Sequence, residues 1–267
     1  MEATITVYCK NTHSYHEVPR GISLIELKDL LGIQLPYPII AAHVNYKVEN
    51  LDFRLYKPKD IEFLDASTPS GMRVYVRTLN MVLACAVNEL YPRTDLRVEH
   101  PISKGYYCTL QWHVDKNAEP EEEKEPPVLT KEMIAAIKQR MLQIIAEDRP
   151  IYEEEKQTKE VIKLFASRYN NETSIFEALG NPYCRYFRMG DYIDYYTNVL
   201  LPSSGYITLF DIVPYQDGLL MRIPNRQNPT VLEDEVSQDK MFSIFREYNR
   251  WNKLLRINNV SDFNIAC

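Results

Sequence analysis

Three side chains within one short stretch, EHPISKGYYCTLQWHVD (Glu99 to Asp115), are of types that bind metals or attack carbonyls: His100, Cys108 and His113. Zinc takes three or four Cys or His ligands, usually as two tight pairs. Here the steps are eight and five residues, neither a helical i, i+4 pair nor a tight-turn pair. On a strand, an odd step of five sends Cys108 and His113 to opposite faces. A surface histidine and a core cysteine are therefore the favoured reading over a metal or nucleophile site.

Other catalytic signatures fail similarly. Cys184 follows Asn181-Pro182-Tyr183 with no histidine nearby in sequence, which fits a buried thiol. There is no G-x-S-x-G, no G-x-G-x-x-G and no G-x-x-x-x-G-K-[S/T]. No metal site and no cofactor are expected in this chain. One basic stripe stands out near the end: Arg246, Arg250 and Lys253 at i, i+4 and i+7, able to meet phosphate or RNA. The simpler reading is a solvated face near a helix C-terminus.

The elements that must position these residues follow from periodicity. TITVY and SYHEV read as strands joined by a KNTH turn. Ser23 with Glu26 forms a capping box before the stripe Leu24, Leu27, Leu30 and Leu31, and Gly32 suits the helix exit. Strands follow at Ile39 to Val44, near Asp52 to Tyr56, and at Asp60 to Asp65. Strand–strand–helix–strand–strand is a β-grasp order. The next helix is predicted over Val76 to Leu90 and is ended by Pro92. A third follows Thr130, with Met133, Ile134, Ile137, Met141, Ile144 and Ile145 on its apolar face, and stops at Pro150. Another spans Thr158 to Arg168. Tyr183 to Ile223 reads as strands and turns. A last helix covers Lys240 to Ile257, with Met241, Ile244, Phe245, Tyr248, Trp251 and Leu255 as its buried side. Asn117 to Pro127 is acidic and apolar-free, a solvated surface loop.

The chain has 267 residues, a net charge of −6, five scattered cysteines, 8 glycines and 19 tyrosines. The odd, unpaired cysteine set argues against a disulfide framework. The net charge argues against a general nucleic-acid coat, though not against a local basic patch. With no apolar run of membrane length and no signal-peptide layout, the expected location is cytoplasmic.

Taken in order, VNYKV, the NELYP helix end, SKGYY, LTKEM…RM and DYIDYYTNVLLP resemble the N-terminal half of threonyl-tRNA synthetase. That half is a TGS domain followed by a second additional domain. The resemblance implies an α+β fold: a β-grasp TGS domain at residues 1–67, a synthetase editing-like domain at 68–228, and a C-terminal helix and linker at 229–267. In that family the second domain hydrolyses mischarged tRNA with a His-x-x-x-His pair and a later Cys-x-x-x-His. The matching positions here are Arg77 and Met81, then Tyr196 and Leu200, so the resemblance carries the fold and not the activity. The whole chain also resembles the front of bacterial uridine (nucleoside) kinases, whose P-loop domain would follow and would use ATP and Mg. The expectation is a non-catalytic regulatory or ligand-binding module whose partner is that kinase domain. Its alternative is an aminoacyl-tRNA editing or RNA-binding module, with a nucleotide or RNA as partner and no membrane association.

Overall fold

The computed structural model describes residues 3–92, 94–112, 129–166, 173, 176, 180–234 and 238–254. His113, the acidic stretch Asn117 to Pro127, Arg168 and everything beyond Leu254 lie outside them.

The first unit contains β1 (Thr4–Cys9), β2 (Ser14–Pro19), β3 (Ile22–Ser23), α1 (Leu24–Leu30), β4 (Ile39–Val44), β5 (Lys47–Glu49), β6 (Arg54–Leu55) and β7 (Asp60–Asp65). Five of the strands form a sheet in the order β2-β1-β7-β4-β5, with β1 and β7 parallel at its centre. The expected succession of two strands, a helix and further strands is present, with β3, β5 and β6 as additional short pieces. The capping box is present: Ser23 Oγ accepts from the Glu26 amide and the Glu26 carboxylate accepts from the Ser23 amide. Leu24 and Leu27 of α1 then pack with Val7, Cys9, Ala42, Ile61 and Phe63, the inward residues of alternating strands. The strand expected near Asp52 to Tyr56 is only the two residues of β6, and β5 was not foreseen.

The second unit is built around α2 (Pro69–Leu90). It begins seven residues earlier than predicted. Thr68 caps it by accepting from the Gly71 amide, and Pro69 occupies the first helical position, where its missing N–H costs nothing. The prediction started from the apolar run and passed over this Thr-Pro signal. Thirteen residues of α2 are buried, because it lies between two sheets. On one side it meets Ile40, Ala41 and Ala66 of the first unit. On the other it meets a four-stranded antiparallel sheet in the order β13-β14-β9-β8, made of β8 (Thr94–Ile102), β9 (Gly105–Trp112), β13 (Asp211–Tyr215) and β14 (Gly218–Arg222). α3 (Lys131–Ala146) packs alongside through Ile134, Ile137, Met141 and Ile144, with Thr130 as the expected cap.

β10 (Tyr152–Gln157) leads directly into α4 (Thr158–Ala166), and it pairs with β11 (Tyr183–Met189), which pairs with β12 (Tyr192–Asp194). The charged sequence YEEEKQ gave no strand signal. It is an edge strand held by ion pairs to β11, Glu153 with Arg185 and Glu154 with Arg188. The mixed α+β class is borne out.

The last helix, α5 (Asp239–Leu254), requires a correction. The residue it buries is Phe242, at 4% exposure, together with Ile102 and Tyr107. Phe242 was absent from the predicted stripe. Of the predicted residues, Met241 and Phe245 are partly covered, whereas Ile244, Tyr248 and Trp251 are 64%, 63% and 58% exposed. Periodicity located an amphipathic helix, but two apolar stripes overlap on it, and the β8–β9 hairpin covers only one.

Candidate functional site

α2 meets the stretch after β12 along one seam, and the four residues singled out as replaced editing positions all lie there. Arg77 and Met81 are one turn apart on α2. The Arg77 guanidinium donates to the Val199 carbonyl at 2.6 Å. The next α2 residue, Thr78, is fully buried; its hydroxyl donates to the Val74 carbonyl at 3.0 Å and accepts from the Leu201 amide at 2.9 Å. These two bonds hold the 199–201 backbone against the helix, so Leu200, between them, is pressed into the core at 1% exposure. Met81 is at 0% in the same apolar cluster, and the half-buried Tyr196 ring packs against it. The Tyr196 hydroxyl donates to Asp194 Oδ2 at 2.9 Å, as does Tyr192 at 3.1 Å, while the Tyr195 amide donates to Asp194 Oδ1 at 2.7 Å. The buried Asp194 carboxylate is thereby satisfied.

The chemistry left at this seam is limited. Burial, then the nearby Arg73 charge, pushes the Arg77 guanidinium below its ordinary value. Methionine and leucine move no protons, and Tyr196 and Asp194 are engaged with each other. Arg77 retains N–H donors that could meet an anion. Replacing Thr78 by valine keeps the shape and strands the Leu201 amide; we expect a loss of about 1–3 kcal/mol. Urea denaturation measures the loss, and faster exchange of the Leu201 amide locates it.

His100 and Cys108 of EHPISKGYYCTLQWHVD do not come together in one site. His100 and Cys108 sit on the two arms of the β8–β9 hairpin. Val98 is opposite Cys108 and His100 opposite Tyr107, with a bulge between Val98 and His100. They serve different faces. Cys108 is buried against α2, whereas His100 stacks on Phe245 of α5 at 3.8 Å between ring centroids. Burial pushes the His100 imidazole below its ordinary value, with the Glu99 charge opposing. His113 lies outside the described residues. Among the described residues, no group of three or more His, Cys, Asp or Glu side chains could hold a metal ion.

The thiols are equally unreactive in their settings. Burial, then the Glu99 charge, pushes the Cys108 thiol up to about 12. Burial, then Glu89, pushes Cys85 up to about 12 as well, despite Arg149 nearby. Both stay protonated at neutral pH, and only the thiolate is a nucleophile. Cys184 is also buried, with its sulfur 3.2 Å from Thr158 Oγ1. We expect native-state iodoacetamide treatment to leave Cys85 and Cys108 unmodified by peptide mass, and denaturation to expose both.

Sequence reasoning missed a polar chain at the other end of α2. The His43 imidazole lies 3.4 Å from Glu62 Oε2 through Nδ1 and 3.2 Å from Ser70 Oγ through Nε2. Lys10 reaches the same Glu62 oxygen at 3.4 Å, and Arg73 donates to Ser70 Oγ at 3.2 Å. His43 and Glu62 are directly opposed on β4 and β7. Both belong to the sheet face away from α1, so the chain ties that face to the first turn of α2. Nothing in a linear reading joins residues 10, 43, 62 and 70. The basic positions Arg246, Arg250 and Lys253 fall on the α5 backbone, and their side chains lie outside the described residues.

No family model matches the chain. A threonine–tRNA ligase of Syntrophomonas wolfei subsp. wolfei is 27% identical over 194 residues, 72% of this chain and 28% of the ligase. Those of Symbiobacterium thermophilum and Clostridium kluyveri are 25% and 26% identical over 202 and 193 residues. The chain is similar to threonine–tRNA ligases. The match covers 75% of this chain and 29% of the ligase for Symbiobacterium thermophilum, and 71% and 28% for Clostridium kluyveri. The chain thus spans under a third of the length of these ligases. No helix among the described residues is long and apolar enough to cross a membrane.

Proposed function

We propose that this chain is a tRNA-facing binding module, a TGS-like β-grasp followed by a synthetase-like second domain that has lost editing chemistry. The observation that carries the reading is a likeness to threonine–tRNA ligases over about three-quarters of the chain, joined to a seam of Arg77, Met81, Tyr196 and Leu200 in place of proton-transfer groups. Such a module binds tRNA by shape and phosphate contact and leaves the aminoacyl ester intact. The decisive experiment offers the chain a charged tRNA and follows both retention and hydrolysis. Binding that weakens steeply as salt rises, with hydrolysis at the uncatalysed rate, is the expected result. No measurable binding at low salt, or multiple-turnover deacylation, overturns it.

A second reading has its own support. The exposed Ile244, Tyr248 and Trp251 of α5 form an apolar stripe that suits cover by a further domain. The sequence resemblance offers a uridine or nucleoside kinase as one candidate for that domain, whose own P-loop would hold ATP and Mg and carry phosphoryl transfer. A G-x-x-x-x-G-K-[S/T] motif in the reading frame beyond Cys267 would support this reading, and a frame without one would dismiss it.

A further inference from the structure

One end of the first sheet places two bulky aromatic side chains, Tyr15 and Tyr46, largely in solvent. The β4–β5 connection is a two-residue turn, Asn45-Tyr46, with φ of 47° and 69°. Both positions of such a turn need left-handed backbone, which glycine or asparagine adopts readily and a bulky residue does not. Asn45 has a local use: its side chain accepts from the Asp60 amide at 2.9 Å. Tyr46 has no comparable role, for its ring is 79% exposed and meets the Lys10 ammonium 4.6 Å from its centroid. The other two-residue left-handed turn, Ser103-Lys104, differs, because the Lys104 side chain is tied to Glu233 at 3.2 Å. Strain kept for an exposed ring points to a use outside the fold.

Tyr46 has company at that end of the sheet. Tyr15 is 75% exposed on the edge strand β2, its ring 5.0 Å from Tyr8 directly across on β1. Tyr8 and Lys10 project from the face opposite α1, since their neighbours Val7 and Cys9 point into its core. Across the sheet order, Tyr15 and Tyr46 stand about three strand spacings apart, roughly 15 Å at ~4.8 Å each. Lys59 lies at the same end, where its carbonyl accepts from the Tyr8 amide.

We propose that this end of the sheet binds a short unpaired stretch of RNA, with bases stacking on Tyr15 and Tyr46 and phosphates meeting Lys59 and Lys10, whose ammonium is held 3.4 Å from Glu62 Oε2 in the free chain. The proposal rests on the tRNA-facing reading above and names the surface and the form of RNA. Unpaired bases expose their ring faces, whereas a duplex hides them in its own stack, so paired aromatics select single strands. A cation beside a ring adds attraction for a stacked base and its phosphate.

The test measures fluorescence anisotropy of a labelled oligouridylate of about twelve nucleotides, the corresponding duplex and a whole tRNA. The chain should bind the single strand and prefer it to the duplex. Tyr46→Gly should weaken single-strand binding about tenfold while raising the melting temperature by about 2–4 °C, because the strained turn relaxes. Opposite signs in the two readouts separate a lost contact from a damaged fold. Tyr15→Ala should weaken binding similarly and lower the melting temperature only slightly, through loss of the ring pair with Tyr8. Equal affinity for the duplex, or unchanged single-strand affinity in both variants, overturns the proposal. So does a concentration-dependent dimer in sedimentation that Tyr46→Gly abolishes, which would assign the patch to a second copy of this chain. If whole tRNA binds equally to wild type and both variants, this surface is excluded and the tRNA-facing reading stands. If neither tRNA nor oligouridylate binds, both fall.

Discussion

Converting Arg77 and Met81 together to histidine restores no hydrolysis of mischarged tRNA and lowers the unfolding free energy by about 3–5 kcal/mol. Met81 is wholly buried among Leu79, Leu83 and Leu200, so an imidazole there loses the apolar burial and sinks a polar ring without a partner. Arg77→His also removes the bond to the Val199 carbonyl, which helps press Leu200 into the core. The facing positions remain a leucine and an engaged tyrosine, so no second pair of groups meets the new imidazoles. Urea denaturation reads the stability loss and release of labelled amino acid reads the chemistry. Met81→Leu, nearly isosteric, should cost under about 1.5 kcal/mol and isolates the polarity effect. A double variant that is both stable and hydrolytic would show that the seam still accommodates a reaction.

Gly71→Ala should cost about 3 kcal/mol, although alanine is the better helix former by about 1 kcal/mol. A Cβ at Gly71 would lie 2.0 Å from the Asp65 carbonyl oxygen and 2.9 Å from Thr68 Oγ1. The first obstacle is backbone. Its own carboxylate is buried and fixed, accepting from the Ser67 amide at 2.9 Å. The corner between β7 and α2 must therefore open, and the Thr68 cap opens with it. The steric term exceeds the propensity gain, so the sign is destabilising. Thermal unfolding checks it, and an unchanged midpoint would mean that the corner yields without strain.

Much of the first unit was legible because its signals are local. Alternation marks β1, β2, β4 and β7, and the Ser23–Glu26 pair marks the start of α1. Arg77, Met81, Tyr196 and Leu200 were singled out only through the resemblance to threonyl-tRNA synthetases, since nothing in their types or spacing marks them. What escaped has a common cause. β10 is charged throughout and becomes a strand only through cross-strand pairing with Arg185 and Arg188. The chain from Lys10 through Glu62 and His43 to Ser70 joins distant segments. On α5, the residues that become buried depend on which apolar stripe the β8–β9 hairpin meets.

The sequence by itself determined where the chain turns helical or extended and that the seam residues are poor proton carriers, since side-chain period, capping chemistry and functional groups are properties of neighbours in the chain. Only the tertiary structure decided that His100 and Cys108 serve opposite faces of one hairpin. It also decided that Arg77 and Thr78 clip the 199–201 backbone, and that Tyr15 and Tyr46 lie at one end of one sheet. Those outcomes depend on strand register and on which surfaces exclude water, and both are set by contacts between residues far apart in sequence.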